Sequence, residues 1–297
     1  MQISYCSGTD SLLVIVSEQM IFSRHKICED IIIQHDAQGN LASILIQNAS
    51  NRNKFNLKDH IVDLEITKLA IVTHVKRNME GVDNKIIKNY FKKHKITKLN
   101  IGCGRNIIDG WLNSDYYPQS EQILHLDATA QFPFENDKLD YIFSEHTIEH
   151  LTYLQGMNML KECCRVLKPG GKLRISTPDL SFLIHLYDNQ KSVLIRKYVK
   201  WAKEMFLETA PCFEEIFVIN NFVRAWGHKF IYDKKLLHYC LEQAGFEEII
   251  SRDLNESMDE ELRYVEHTAR MPAEFLRMES IILEAMKPTY KSQNDYK

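Results

Sequence analysis

From Thr97 onward, short apolar runs alternate with stretches of helical periodicity, and this alternation limits the fold more than any other feature of the chain. The runs are TKLNIG, WLNSDYY, QILHLD, LDYIFS, KLRISTP, FEEIIS and ESIILEAMK, and the longest helical stretch falls near Tyr153 to Leu167. Strands separated by helices cannot pair as tight hairpins. They predict an α/β domain with a mostly parallel sheet covered on both faces.

The N-terminal part reads differently. Between Gln2 and Gln47 the runs QISYC, SLLVIVSE, EDIIIQHD and LASILIQNAS are separated by turn residues such as Ala37-Gln38-Gly39-Asn40. This predicts a small antiparallel β-meander, barely able to bury its own face and so expected to pack on a neighbour or a twin. A polar stretch, 49–58, resembles a linker, and Leu57 to Lys95 has helical periodicity in at least two pieces. Lys92-Lys93-His94-Lys95 beside Ile86, Ile87, Tyr90 and Phe91 reads as the solvated face and cationic end of one helix. The expected organisation is 1–52 as a β-meander domain, 53–95 as linker and helix, and 96–290 as the α/β domain.

Among 297 residues the formal charge is −3, which offers no global attraction to nucleic acid or acidic membranes. The seven cysteines are scattered without a C-x-x-C pair, arguing against a disulfide framework or a zinc knuckle and for reduced thiols. The first residues lack a cationic n-region, and the apolar run Leu12 to Val16 is too short for a signal or a span. The expectation is a cytoplasmic protein with neither membrane nor nucleic acid as partner.

The sharpest local motif is Leu99-Asn100-Ile101-Gly102-Cys103-Gly104, an apolar run ending in two glycines spaced by one residue. Such a turn at the end of a first parallel strand lies at the sheet's switch point, where ligands bind. A dinucleotide fingerprint would need glycine or alanine where Ile107 stands, which disfavours a nicotinamide oxidoreductase. Two aspartates follow at strand ends. Asp115 could accept both ribose hydroxyl protons, and Asp127, before Ala128, could accept from an adenine amino group. Each also fits a turn or capping aspartate.

With these residues in view, 97–287 resembles the class I S-adenosylmethionine (SAM)-dependent methyltransferases, in the group called methyltransferase type 11. The resemblance rests on LNIGCG, DATAQFPFEND, LDYIFSEHTIEHL and above all LKECCRVLKPGGKLRISTPD, with FIYDKKLLHYCLEQAGFEEIISRDL and ESIILEAMKP following. It implies a Rossmann-like seven-stranded sheet with an antiparallel last strand and SAM as cofactor. By that resemblance the cofactor residues are Asn100, Gly102, Cys103, Gly104, Asp115, Asp127, Ala128, Ser144 and Glu145. Only ten residues separate Gly104 from Asp115, leaving little room for the first helix that most members place there. The N-terminal residues Tyr5, Asp10, Leu12, Val14, Ser17, Ile46, Ala49 and Ser50 resemble a small β-rich family of unknown function, which suggests packing or a homodimer through that domain.

Methyl transfer from a sulfonium is an in-line displacement, so alignment supplies much of the catalysis; an oxygen nucleophile must also lose a proton. His150 and His146 are the candidate catalytic residues, and Asp179, Arg224 and His228 the candidate substrate contacts. Read literally, His146 to His150 spells H-x-x-E-H, an inverted zinc-protease pattern; with no third ligand evident, no metal is expected. Asp179 also suits the cap of the helix beginning LSFLIHLYD, and Tyr198, Trp201 and Phe206 read as helix core. The leading expectation is methyl transfer to oxygen or nitrogen of a small-molecule or sugar acceptor. The alternative is a catalytically idle SAM-binding module whose β-meander mediates assembly.

Overall fold

The computed structural model describes residues 2–6, 11–15, 23–28, 31–35, 41–46, 83–188, 191–207 and 210–289. The linker 49–58, the periodic stretch up to 82, the turn 37–40 and Asp10, Ser17, Ala49 and Ser50 lie outside them. The chain forms two compact units, Met1–Lys93 with Tyr117–His125, and His94–Tyr116 with Leu126–Lys297.

In the first unit, β1 (Gln2–Cys6), β2 (Ser11–Ile15), β3 (Ser23–Cys28), β4 (Ile31–His35) and β5 (Leu41–Ile46) form one antiparallel sheet in the order β1-β2-β5-β4-β3. This is not the simple meander of the sequence reading. β5 inserts between β2 and β4, and the additional strand β3 takes the edge. Its sequence, SRHKIC, carries the charge that protects an edge strand from further pairing and therefore lacks the apolar run that betrays a strand. Gln34 and Ser43 sit opposite one another in the register, both buried, and the Ser43 hydroxyl donates to the Gln34 carbonyl oxygen. Helix α1 covers 83–93, with Tyr90 buried and Lys92 and Lys93 exposed, as its periodicity predicts.

The larger sheet contains β6 (Lys98–Ile101), β7 (Leu112–Asp115), β8 (Leu124–His125), β9 (Leu139–Glu145), β10 (Leu167–Pro178), β11 (Glu247–Ser251) and β12 (Ser280–Met286). Their order is β11-β12-β10-β9-β6-β7-β8. β7, β6, β9 and β10 are parallel, while β12 runs antiparallel to both β10 and β11. The Rossmann-like expectation with an antiparallel last strand therefore holds. The chain leaves β6 for β7 and β8, then returns to β9 on the other side of β6. The carboxyl ends of β6 and β9 thus flank the switch point, where an open α/β sheet leaves a crevice.

Helix α2 (Tyr153–Val166) begins at a capping box, in which Thr152 accepts from the Gln155 N–H and Gln155 reaches back to the Thr152 backbone. It runs directly into β10, where a bulge between Leu167 and Lys172 takes up Lys168-Pro169-Gly170-Gly171. The Lys168 ammonium there grips the Asp140 carboxylate at 2.7 and 2.8 Å, and the same carboxylate accepts from the Thr97 N–H and hydroxyl.

No helix follows β6. In its place Asn113 ties the loop to the sheet: its Oδ1 accepts from the Ile108 N–H, and its Nδ2 donates to the Ile108 and Trp111 carbonyls. The register pairs Asn113 with Asn100, whose Nδ2 donates to the Asn106 carbonyl. The adjoining sheet face is covered instead by residues 253–266. Trp111 and Phe143 pack against Leu262 and Val265. Around this apolar patch Lys98 pairs with Glu261 at 2.7 Å and Lys172 with Asp259 at 2.8 Å. Arg174, fully buried, bonds the carboxylates of Glu266 and Glu284 and the carbonyls of Asp253 and Glu256.

Helices α3 (Leu180–His185), α4 (Val193–Phe206), α5 (Glu215–Arg224) and α7 (Ala273–Glu279) share a core of Phe182, Leu183, Tyr198, Val199, Val218, Phe222 and Phe275. Helix α6 (Lys234–Gln243), capped by Asp233, contacts α2, β11 and β12. Among the described residues no helix is long and apolar enough to cross a membrane.

Candidate functional site

At the end of β6 the backbone turns through Gly102 (φ 69°) and Gly104 (φ 49°), the left-handed region open to glycine. The two glycines do different work. A Cβ on Gly102 would collide with the Thr147 side chain, whereas one on Gly104 would meet nothing within 4 Å. Gly102 lets the β9 loop close on the β6 loop, and Gly104 leaves the open side of the turn clear for a ligand. Gly104 N–H donates to Asp115 Oδ2 at 2.9 Å, holding the turn against the end of β7. Cys103 between them is buried; desolvation and then the Asp115 charge push its thiol up to about 12, so it stays protonated and unreactive.

Asp127 forms a tight turn of its own. Its Oδ1 accepts from the Thr129 N–H at 2.8 Å and the Thr129 hydroxyl at 2.7 Å. Leu126 N–H donates to the Asp115 carbonyl, which draws the two aspartate-bearing segments together. Ala128 beside Asp127 is buried. Burial, with Asp127 nearby, raises the pKa of the half-exposed Tyr116.

A cavity of about 170 Å³ opens on this turn, lined by Asn100, Gly102–Asn106, Glu145, His146, His267 and Arg270. Glu145 organises its far wall: its carboxylate accepts from the His267 N–H at 3.0 Å and Asn106 Nδ2 at 3.2 Å, with Arg270 at 3.8 Å. The Nε and Nη2 atoms of Arg270 are buried with no hydrogen-bond partner among the described residues. Ser144 is fully buried within β9 and lines neither this cavity nor the next.

A second cavity, about 390 Å³, is walled by Tyr198, Trp201, Phe206, Phe222 and Trp226 together with His146, Glu149, His150, His228, Arg270 and Glu279. His146 and Arg270 line both cavities and so stand where the two meet. His146 reaches that position with a left-handed backbone (φ 47°), a strained conformation for a non-glycine residue and one concentrated at functional sites. Its Nε2 lies 3.1 Å from Ser280 Oγ, and its Nδ1 3.2 Å from Glu149 Oε1.

Glu149 is wholly buried in the 3₁₀ turn Ile148–His150; the Thr177 hydroxyl donates to its Oε2 at 3.0 Å. Burial opposes its charge, but His146 and then His150 outweigh burial and hold its carboxyl below the ordinary range. His228 packs edge-on to His150 with ring centroids 5.1 Å apart. Its Nδ1 lies 2.6 Å from the Phe222 carbonyl oxygen, and since a carbonyl only accepts, Nδ1 carries the proton and Nε2 the lone pair. Glu279, in the same cavity wall, accepts from the Tyr198 hydroxyl at 2.5 Å, and burial raises its pKa.

The sequence candidates thus separate. His146, His150 and His228 converge on the larger cavity, and Asn100, Gly102, Cys103, Gly104 and Glu145 on the smaller one. Asp179 does neither: it caps α3 by accepting from the Ser181 N–H at 2.8 Å. Arg224 is exposed in the last turn of α5 and lines neither cavity. Tyr198 and Trp201 belong to both the helix core and the cavity wall, whereas Phe206 lines the wall but is exposed and lies outside that core. Sequence reading missed Glu149, His267, Arg270 and Glu279. Glu149 stood inside the H-x-x-E-H pattern, while the other three arrive from more than a hundred residues downstream of β9 with no spacing motif to mark them.

Comparison with known proteins adds a family-model match over part of the chain. Residues 113–175 match the family model described as methyltransferase domain. Among solved structures, a SAM-dependent methyltransferase of Archaeoglobus fulgidus is 17% identical over 70% of this chain and 94% of its own, with TM-score 0.39. A SAM-dependent methyltransferase of Thermotoga maritima is 16% identical over 73% and 97%, with TM-score 0.37. A Bordetella parapertussis protein is 13% identical over 68% of this chain and 66% of its own, with TM-score 0.39. A search of curated proteins found no match.

Proposed function

We propose that this chain, which matches a methyltransferase-domain model over 113–175, is a class I SAM-dependent methyltransferase that transfers the methyl group to an oxygen or nitrogen of a small-molecule or sugar acceptor held in the 390 Å³ cavity. The carrying observation is the meeting of the two cavities at His146 and Arg270. A volume of this size suits a small organic molecule and is too confined for a folded macromolecule.

The residues of the smaller cavity fit the cofactor. Gly104 leaves an open approach for the methionine portion, and the Arg270 guanidinium, whose Nε and Nη2 make no hydrogen bond among the described residues, suits its carboxylate. Outside the lining of that cavity, Asp115 at the end of β7 would take the ribose hydroxyls and Asp127, two residues past β8, the adenine amino group. The bound cofactor supplies an already activated methyl group. What remains for this chain is to align the acceptor, to exclude water with Trp201, Phe206 and Trp226, and to receive a proton where the acceptor is a hydroxyl. The imidazoles of His150 and His228 face that task from the cavity wall.

Calorimetry with S-adenosylhomocysteine tests the cofactor half. The intact chain is expected to bind it, and incubation with SAM and a small-molecule extract is expected to form S-adenosylhomocysteine. No binding by the folded protein would overturn the reading.

A further inference from the structure

We infer that Glu149, His150 and His228 form a binding site for one divalent transition-metal ion on the wall of the larger cavity. One ligand atom from each lies within 4.8 Å of the other two, so a modest contraction brings all three to the roughly 2.0–2.2 Å bond lengths of such an ion. Two imidazole nitrogens and a carboxylate oxygen suit Zn²⁺, Fe²⁺, Co²⁺ or Ni²⁺, and three protein ligands leave coordination positions open toward the cavity.

Three separate features point to a cation. Glu149 Oε1 is buried with no hydrogen bond among the described residues, and the nearest cationic group is the His146 ring, with Nδ1 3.2 Å away. A charged oxygen left in that state is costly unless something compensates it. His228 donates Nδ1–H to the Phe222 carbonyl, the outer partnership that fixes the tautomer of metal-bound histidines and turns the other nitrogen outward. Trp226, just before His228, holds φ at 56°, a strained turn that sets the His228 ring against His150.

The third ligand that the H-x-x-E-H pattern lacked is thus supplied by His228 from the loop after α5. His146, braced between Glu149 and Ser280, positions the carboxylate instead of ligating the ion. The ion's place in the reaction rests on the transferase reading; the site itself does not. With the ion bound, His150 and His228 would be its ligands and no longer proton acceptors. The ion would instead acidify an acceptor hydroxyl, whose proton passes to solvent as its oxygen bonds the methyl carbon and the electron pair of the broken carbon–sulfur bond stays on sulfur.

The test uses untagged full-length protein, freed of metal with a chelator and titrated with Co²⁺ alone while the visible d–d absorption is followed. One equivalent is expected to saturate the wild type. His150→Ala and His228→Ala should each weaken binding by about 10-fold or more, and His185→Ala, on α3 away from the cavity, should leave it unchanged. Should either alanine variant fail to fold by circular dichroism, His150→Gln or His228→Gln replaces it. No Co²⁺ absorption by the folded wild type, or wild-type affinity in both variants, would overturn the proposal. Co²⁺ binding without S-adenosylhomocysteine binding would count against the transferase reading alone.

Discussion

Gly102 and Thr147 claim the same volume: a Cβ built on Gly102 would lie 2.1 Å from Thr147 Oγ1 and 2.9 Å from its Cγ2. The contact joins the two loops that flank the switch point, and the φ of 69° at Gly102 adds a second reason for glycine. Gly102→Ala is therefore expected to lower the melting temperature by several degrees and to weaken S-adenosylhomocysteine binding. Combining it with Thr147→Ala removes both of the closest atoms but not the backbone strain. The double variant should recover part of the stability, and a double variant no better than Gly102→Ala would show that strain alone decides.

Asp127 and Asp179 both follow strands and both engage a backbone N–H two residues on, yet they face different fates. Asp179→Ala removes a helix cap and should cost about 1 kcal/mol in urea unfolding with cofactor affinity intact. Asp127→Ala should abolish measurable S-adenosylhomocysteine binding at similar loss of stability. Equal affinity in the two variants, read by calorimetry, would remove Asp127 from the cofactor site.

The alternation of strands and helices from Thr97 onward and the glycine turn were legible because local patterns encode them: apolar runs, helical periodicity and two glycines closing the first run. Asn113 was read only as part of a strand, although its side chain replaces an entire helix by binding the loop that precedes it. Arg174 carried a signal that could have been used. A charge in the middle of an otherwise buried strand demands a partner, but Glu266 and Glu284 are distant in sequence and nothing local names them. The same holds for Arg270 and His267, which the fold delivers to the site through the segment that Arg174 anchors. Strand β3 escaped because an edge strand is protected by the very charges that hide its pattern.

Arg174 sits at the centre of that anchorage, and its removal would leave Glu266 buried without its cation and Glu284 with Arg252 alone. Breaking one side of a buried ion pair costs about 3–5 kcal/mol. Arg174→Met is thus expected to lose that much in urea unfolding. Because 253–270 includes both the face cover and Arg270, cofactor affinity should fall as well. A variant with near-native stability would mean that the carboxylates are neutral in the fold and that Arg174 contributes little.

Asp140 connects the entry of β10 to the start of β6, and its acidity gives a stability signature in pH. Burial alone would raise its pKa; hydrogen bonds from Lys168 and Thr97 outweigh burial and bring it below 3.8. A carboxyl with a folded pKa below its unfolded one adds stability that is fully present above the unfolded value and is lost as pH falls toward the folded value. The pair is partly exposed, so the contribution is on the order of 1 kcal/mol or less. Wild type should therefore melt above Asp140→Asn at pH 6, and the gap should narrow as the pH is lowered from 5 to 3. A gap that stays constant over that range, in melting curves taken side by side, would show that the hydrogen bonds to Thr97 matter and the charge on Asp140 does not.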